Sequence, residues 1–438
     1  MRLPYRGDAA GLRHDPRHTM ARIPTAAARQ LRVARVPPHR CAARQRRADG
    51  DGCAVPGRMK TLVASRWFDG ERYHANPVTL FIDRGRIVER RDGEHDGPQR
   101  LCVAFAMPGL VEAHCHLFLD GAEVDGATRR RYLGASFEVM LGVARANAER
   151  ARSGGITLVR DAGDRYGVNH ALRAESRIPK VRSPGIALRR PDRYGAFLAR
   201  EVASLDEALV AVHEAAASAD DLKIIQTGII DFESGRVKGA PQFDYDTLTA
   251  IVRAAHGAGL RTFAHCSGSE GIEIAVRAGV DSIEHGFFMT EAILRRMADQ
   301  GTAWVPTFSP VHFQWAHPEL APWNRDTVAK LRTIIDAHGD HVARAVQLGV
   351  NLVAGSDAGS PGVEHGAGLL AELRRFVECG LSLEQALRSA TVTPRRLWGL
   401  EPATIAAGAL CELALFDADP FVDPSNLDSA CIAMCEAE

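Results

Sequence analysis

Eight short apolar runs recur along the middle of the chain, and stretches of helical periodicity separate most of them. The runs are Leu110–His116, Ile156–Arg160, Val181–Leu188, Leu222–Thr227, Arg261–His265, Ser282–His285, Thr302–Thr307 and Asn351–Ser356. Helical patterns lie at Tyr132–Ser153, Asp244–Gly257, Glu270–Ala278, Glu291–Gln300, Asp326–Leu348 and Gly366–Glu378. Many of these close on glycine (Gly154, Gly259, Gly279, Gly301, Gly380), the residue that tolerates the left-handed turn ending a helix. Alternating strand and helix over one segment predicts an α/β fold, a (β/α)8 TIM barrel spanning 109–399.

The flanks read differently. Thr61-Leu62-Val63-Ala64, Val78-Thr79-Leu80-Phe81-Ile82 and Arg86-Ile87-Val88 are strand-like, with Asp83-Arg84-Gly85 at the turn of a hairpin. Near the other end, Leu413-Ala414-Leu415-Phe416 is stopped by Asp417-Ala418-Asp419-Pro420. Residues 59–108 and 400–438 are therefore expected to build a small β-sandwich from both ends of the chain. Residues 1–58 contain thirteen Arg, no Lys and no Ser, without sustained periodicity. A secretory signal needs an apolar core that is missing here, and a transit peptide is usually Ser-rich. The favoured reading is a disordered leader, with the functional chain beginning at Met59.

Composition narrows the function classes. Formal net charge is zero over 438 residues, which gives no reason to expect nucleic acid or an anionic membrane surface. No apolar run approaches the ~18 residues of a membrane-spanning helix. Nine scattered cysteines without a CxxC pair read as free thiols of a reducing compartment, so a cytoplasmic protein is expected. A symmetric homo-oligomer is the usual expectation for an enzyme of this size.

In such a barrel, functional side chains gather at the C-terminal ends of the strands. His114 and His116 end the first strand, two residues apart and so on one face. His265 ends the fifth strand, His285 ends the sixth, and Asp357 follows the eighth. A lone histidine is usually structural or exposed, and a lone Asp after a strand is usually a turn residue. Five ligand-type residues at four strand ends fit that ordinary reading poorly. Lys223 sharpens the case, because the chain has five Lys against 49 Arg and yet sets one of them in the apolar run Leu222-Lys223-Ile224-Ile225. An ammonium there must be paired, with Asp161 as the candidate partner, or neutralised. Neutral lysine can take up CO2 and become an anionic ligand, whereas Arg stays protonated.

Met107-Pro108-Gly109-Leu110-Val111-Glu112-Ala113-His114-Cys115-His116 resembles the first-strand signature of the amidohydrolase superfamily. Glu284-His285-Gly286 and Gly355-Ser356-Asp357 resemble its sixth- and eighth-strand motifs, and Gly408–Phe416 its returning β-domain strand. The resemblance, over about residues 60–425, implies two divalent ions, usually zinc. It places one ion on His114, His116 and Asp357 and the other on His265 and His285, with Lys223 bridging as a CO2-derived carboxylate. The implied activity is hydrolysis of a C–N bond in a small amide or dipeptide by a metal-bridging hydroxide, with Asp357 as catalytic proton shuttle. Xaa-Pro dipeptidase-like and imidazolonepropionase-like members are the branch it looks most like. Arg193 and Tyr194, in the loop after the third strand, are the candidate substrate contacts, and Arg193 could clamp a carboxylate.

Alternatives within the superfamily are a single-metal deaminase and a phosphotriester or lactone hydrolase. The deaminases resemble one another in an acid three residues after the fifth-strand His, where this chain has Gly268. A non-catalytic binding barrel is expected to lack ligands, and all six are present.

Overall fold

The computed structural model describes residues 59–175, 179–321, 323–428 and 431–435, and they form a mixed α/β molecule. The expectation for residues 1–58 lies outside the described residues.

Strands from both ends lie in one seven-stranded sheet. Lys60–Phe68 pairs antiparallel with Val78–Asp83 and parallel with Arg100–Pro108. Glu412–Phe416 then pairs antiparallel with Arg100–Pro108, setting Leu413 against Pro108 and Phe416 against Phe105. Cys431–Cys435 adds on the outer side of Glu412–Phe416. The two-residue period of a strand sorts these side chains into two cores. Leu62, Ala64, Leu80, Ala106, Leu413 and Leu415 pack into a small cluster on one face. Phe68, Phe105, Met107, Ala414 and Phe416 face the other way and join the main core.

That main core lines two parallel sheets. One holds Leu110–Cys115, Ile156–Asp161 and Lys180–Arg182. The other runs Ala199–Glu201, Ala187–Arg189, Asp221–Ile225, Arg261–Cys266, Ser282–His285, Ala303–Val305, Asn351–Leu352. The segment after Asn351–Leu352 bonds back to the first strand, through Ala113 N–H to Ala354 O (3.1 Å) and His116 N–H to Ala358 O (2.8 Å). Helices cover these strands with apolar stripes. Tyr245–Gly257 is opened by the Asp244 side chain, which accepts from Thr247 N–H, and it buries Leu248, Ile251, Val252 and Ala255. Leu248, Ile251 and Val252 each contribute about 1.5–3 kcal/mol by leaving water. Among the described residues, no helix is long and apolar enough to cross a membrane.

Several elements differ from the sequence expectation, three of them near the site or the sheet edge. The third run is two strands rather than one, because Pro184 has no N–H to donate and Gly185 turns left-handed at φ 67°. A short strand at Ala199–Glu201, not expected, joins the sheet edge. The helix expected over Tyr132–Ser153 is interrupted, with Gly126–Tyr132 ending before Phe137–Ser153 begins at Ser136.

Candidate metal and active site

His114 lies in Leu110–Cys115 and His116 follows it directly, so their imidazoles emerge together. Their Nε2 atoms lie 3.7 and 3.5 Å from Asp357 Oδ1. Asp357 is fixed by its own backbone, whose N–H donates to His114 O at 2.7 Å while φ is 56°. Gly355 makes that approach possible. A Cβ there would sit 2.6 Å from Val305 Cγ1 and 2.9 Å from His114 N. Together the three side chains form a group able to hold a metal ion.

A second pair stands beside it. His265 Nδ1 lies 2.8 Å from His285 Nε2. The opposite nitrogen of His285 is 2.7 Å from Thr307 Oγ1. Three outward anchors therefore operate on Nδ1: Glu284 on His114 (2.5 Å), the Gly163 carbonyl on His116 (3.3 Å) and Thr307 on His285. Each leaves Nε2 directed at the site, as a metal-binding histidine requires. Gly286 completes the turn after His285 at φ 68°. A Cβ on it would meet Trp304 Nε1 at 2.3 Å, and that indole N–H donates to His285 O.

Lys223 is 1% exposed. Its Nζ has no hydrogen-bond partner among the described residues and stands 4.6 Å from the Phe263 ring centroid. The expected ordinary partner, Asp161, instead accepts from Leu117 N–H and Gly163 N–H. Burial lowers the Lys223 ammonium to about 8, against the opposing attraction of Glu284. Burial, with Lys223 nearby, also takes His116 and His265 down to about 3. These imidazoles are neutral near pH 7 and keep the lone pair that a metal needs. Burial pushes Asp357 up to about 7, against the pull of Lys223.

All six predicted ligands line one cavity of about 360 Å3. Tyr194 lines it too, with its ring 5.1 Å from that of His265. Arg193 does not line it, because its guanidinium donates to the Ala240 carbonyl. Glu270 is exposed and also lies outside the cavity, which leaves no acid beside His265 from that segment.

The amidohydrolase family profile matches residues 105–434. An uncharacterized protein of Mycobacterium bovis (strain ATCC BAA-935 / AF2122/97) is 31% identical over 354 residues, 80% of this chain and 88% of that protein. The chain belongs to the amidohydrolase family. Among solved structures, a Xaa-Pro dipeptidase with methionine bound in its active site is similar at a TM-score of 0.74 and 25% identity, covering 86% of this chain and 98% of that one. The ochratoxinase of Aspergillus niger gives 0.71 at 22% identity, covering 86% and 94%. This amidohydrolase is thus an enzyme acting on carbon–nitrogen bonds.

Sequence reasoning missed several of the amidohydrolase's site residues. Arg160 is a charged residue inside an apolar strand, the same signal as Lys223, whereas Glu284 lies in the short, largely polar run Ser282–His285 and is marked only by its place in the sixth-strand motif. Thr307 left no signal, since its strained backbone (φ 49°) is invisible in a residue type that favours strands. Arg129 and Arg130 line the cavity from the helix after the first strand. Arg129 is occupied by the Asp120, Glu123 and Gly359 carbonyls, whereas Arg130 is exposed at the mouth.

Proposed function

We propose that this enzyme hydrolyses an amide or peptide bond of a small substrate with two divalent ions, for which zinc suits the donor set. The observation that carries the reading is the convergence of His114, His116, Lys223, His265, His285 and Asp357 on one cavity, with the Lys223 amine buried and unbonded. In this reading the two parallel sheets are the wall of one (β/α)8 barrel. His114, His116 and Asp357 would hold one ion and His265 and His285 the other. Lys223 would supply a further anionic ligand once its unprotonated Nζ had added to the carbon of CO2, forming an N–C bond as one C=O π bond opens and one proton is released. The donor set fits, since neutral imidazole and carboxylate suit zinc.

Bound ions would polarise the scissile carbonyl and activate a water molecule. The chain's own groups do the rest. Asp357 sits at the site with Ser360 Oγ donating to its Oδ2 at 3.1 Å, and its carboxylate is the group that would receive a proton and return it to the departing nitrogen. Leu133, Phe197, Ile229, Phe232 and Val311 exclude water around an apolar substrate group. Tyr194 stands where it touches the substrate beside His265. Support for a dipeptide comes from the similarity to the Xaa-Pro dipeptidase.

Metal analysis coupled to a substrate screen tests the reading. Two zinc ions per chain and turnover of an N-acyl amino acid or dipeptide are expected. One ion per chain would replace it with single-metal deamination, and none would leave a binding protein.

A further inference from the structure

Glu284 is 0% exposed and accepts three hydrogen bonds: from His114 Nδ1 (2.5 Å), Arg160 Nη2 (2.8 Å) and Ser282 Oγ (2.5 Å). Arg160 is itself buried and held in place. Its Nε donates to the Ala113 carbonyl at 2.8 Å, and its guanidinium lies 4.2 Å from the Phe263 ring and 5.1 Å from that of Trp398. An arginine so enclosed stays charged and demands an anion beside it.

We infer that Glu284 is a positioning residue that fixes the tautomer of His114, with Arg160 as its counter-ion. The inference rests on the metal reading of the site above. Arg160 Nη2 and Ser282 Oγ donate to Oε1 of Glu284, and its Oε2 faces His114 Nδ1 as an acceptor, so the proton between them belongs to Nδ1. The lone pair is then on Nε2, which faces Asp357 Oδ1 across 3.7 Å. Two acceptors facing each other at that distance repel unless a cation stands between them. Removing Glu284 leaves His114 free to carry its proton on Nε2, where it blocks a ligand position. His116 and His285 are held by a carbonyl and a hydroxyl, so His114 is the one site histidine anchored by a charge among the described residues. Carboxylate support of a metal-binding histidine is worth about 10–100-fold in metal affinity.

The test uses the full chain labelled with 15N-histidine and stripped of metal, at about pH 8. Long-range 1H–15N correlation reads the tautomer of each ring, and His114→Gln assigns the signal. His114 is expected as the Nδ1–H form in the wild type, and as the Nε2–H form or a mixture in Glu284→Gln. Zinc titration of folded Glu284→Gln should give affinity about 10–100-fold weaker. An Nε2–H tautomer in the wild type overturns the inference, as does unchanged zinc affinity in the folded variant. Should Glu284→Gln fail to fold, the wild-type spectrum alone decides. A wild type that binds no zinc yet shows Nδ1–H overturns the metal reading and leaves the Glu284–His114 assignment standing.

Discussion

Thr307 Oγ1 meets His285 Nδ1 at 2.7 Å, and it does so from a backbone at φ 49°, a conformation that β-branched residues avoid. His285 is left-handed as well, at φ 67°. Strain of this kind costs about 1–3 kcal/mol per residue and persists where surrounding packing enforces it. Thr307→Val keeps the branched shape and removes the acceptor. The buried His285 Nδ1–H then loses its partner, and stability should fall by about 1–3 kcal/mol. Denaturant unfolding measures this, and Thr307→Ser should recover most of the loss. A Val variant as stable as wild type would show that the contact does nothing.

Asp357→Asn removes the carboxylate of the proposed proton shuttle with almost no change of shape. Turnover should drop by about 10²–10⁴-fold. The far-ultraviolet circular dichroism spectrum should stay as in wild type, and much of the metal should remain. Steady-state kinetics with near-normal kcat would exclude Asp357 from proton transfer.

The proposed uptake of CO2 by Lys223 would depend on pH in a definite direction. Only the unprotonated amine reacts, and burial places its titration at about 8. The reactive fraction therefore grows as pH rises through about 8 and shrinks below it. At equal dissolved CO2, stripped enzyme supplied with zinc should regain its metal faster at about pH 9 than at about pH 7. Lys223→Arg should show no CO2 dependence, since its guanidinium stays protonated. Equal recovery with and without CO2 in the wild type would remove the carboxylate from the site.

The cavity lining separates two neighbouring loop residues. Tyr194→Ala opens the wall beside His265 and should raise KM by several-fold (about 1 kcal/mol, the scale of one lost packing or hydrogen-bond contact). Arg193→Ala loses only its contact with the Ala240 carbonyl and should leave kcat/KM within about twofold. Arg130→Ala should weaken substrates bearing a carboxylate more than neutral ones. The kinetics of all three on a matched pair of acidic and amidated substrates would expose the reverse order.

How much of this was legible in the sequence depended on the distance over which each feature is encoded. His114, His116, His265, His285 and Asp357 could be located because pattern alternation marks strand ends, and strand ends are where such side chains meet. Lys223 stood out because a charge inside an apolar strand is costly. The same argument applied to Arg160, but its meaning lies in a pairing with Glu284 across 124 residues that no local pattern carries. Pro184-Gly185 could have been read as a break in the third strand, as both residues interrupt a ladder. The direction of Arg193 was unreadable, because a loop side chain goes where its nearest unsatisfied carbonyl lies.

Glu412–Phe416 has a bearing on how the molecule is made. It pairs directly against Arg100–Pro108, and buried Glu412 meets Arg395 and Lys180. During translation the ribosome delivers Arg100–Pro108 early and its neighbour only near the end. Until then the nascent chain carries a bare strand edge bearing Phe105 and Met107, a template for joining other chains. Loop closure across that span is slow. Products of premature termination upstream of Glu412 should accordingly precipitate or be degraded even when all six candidate ligands, His114 to Asp357, have been synthesised.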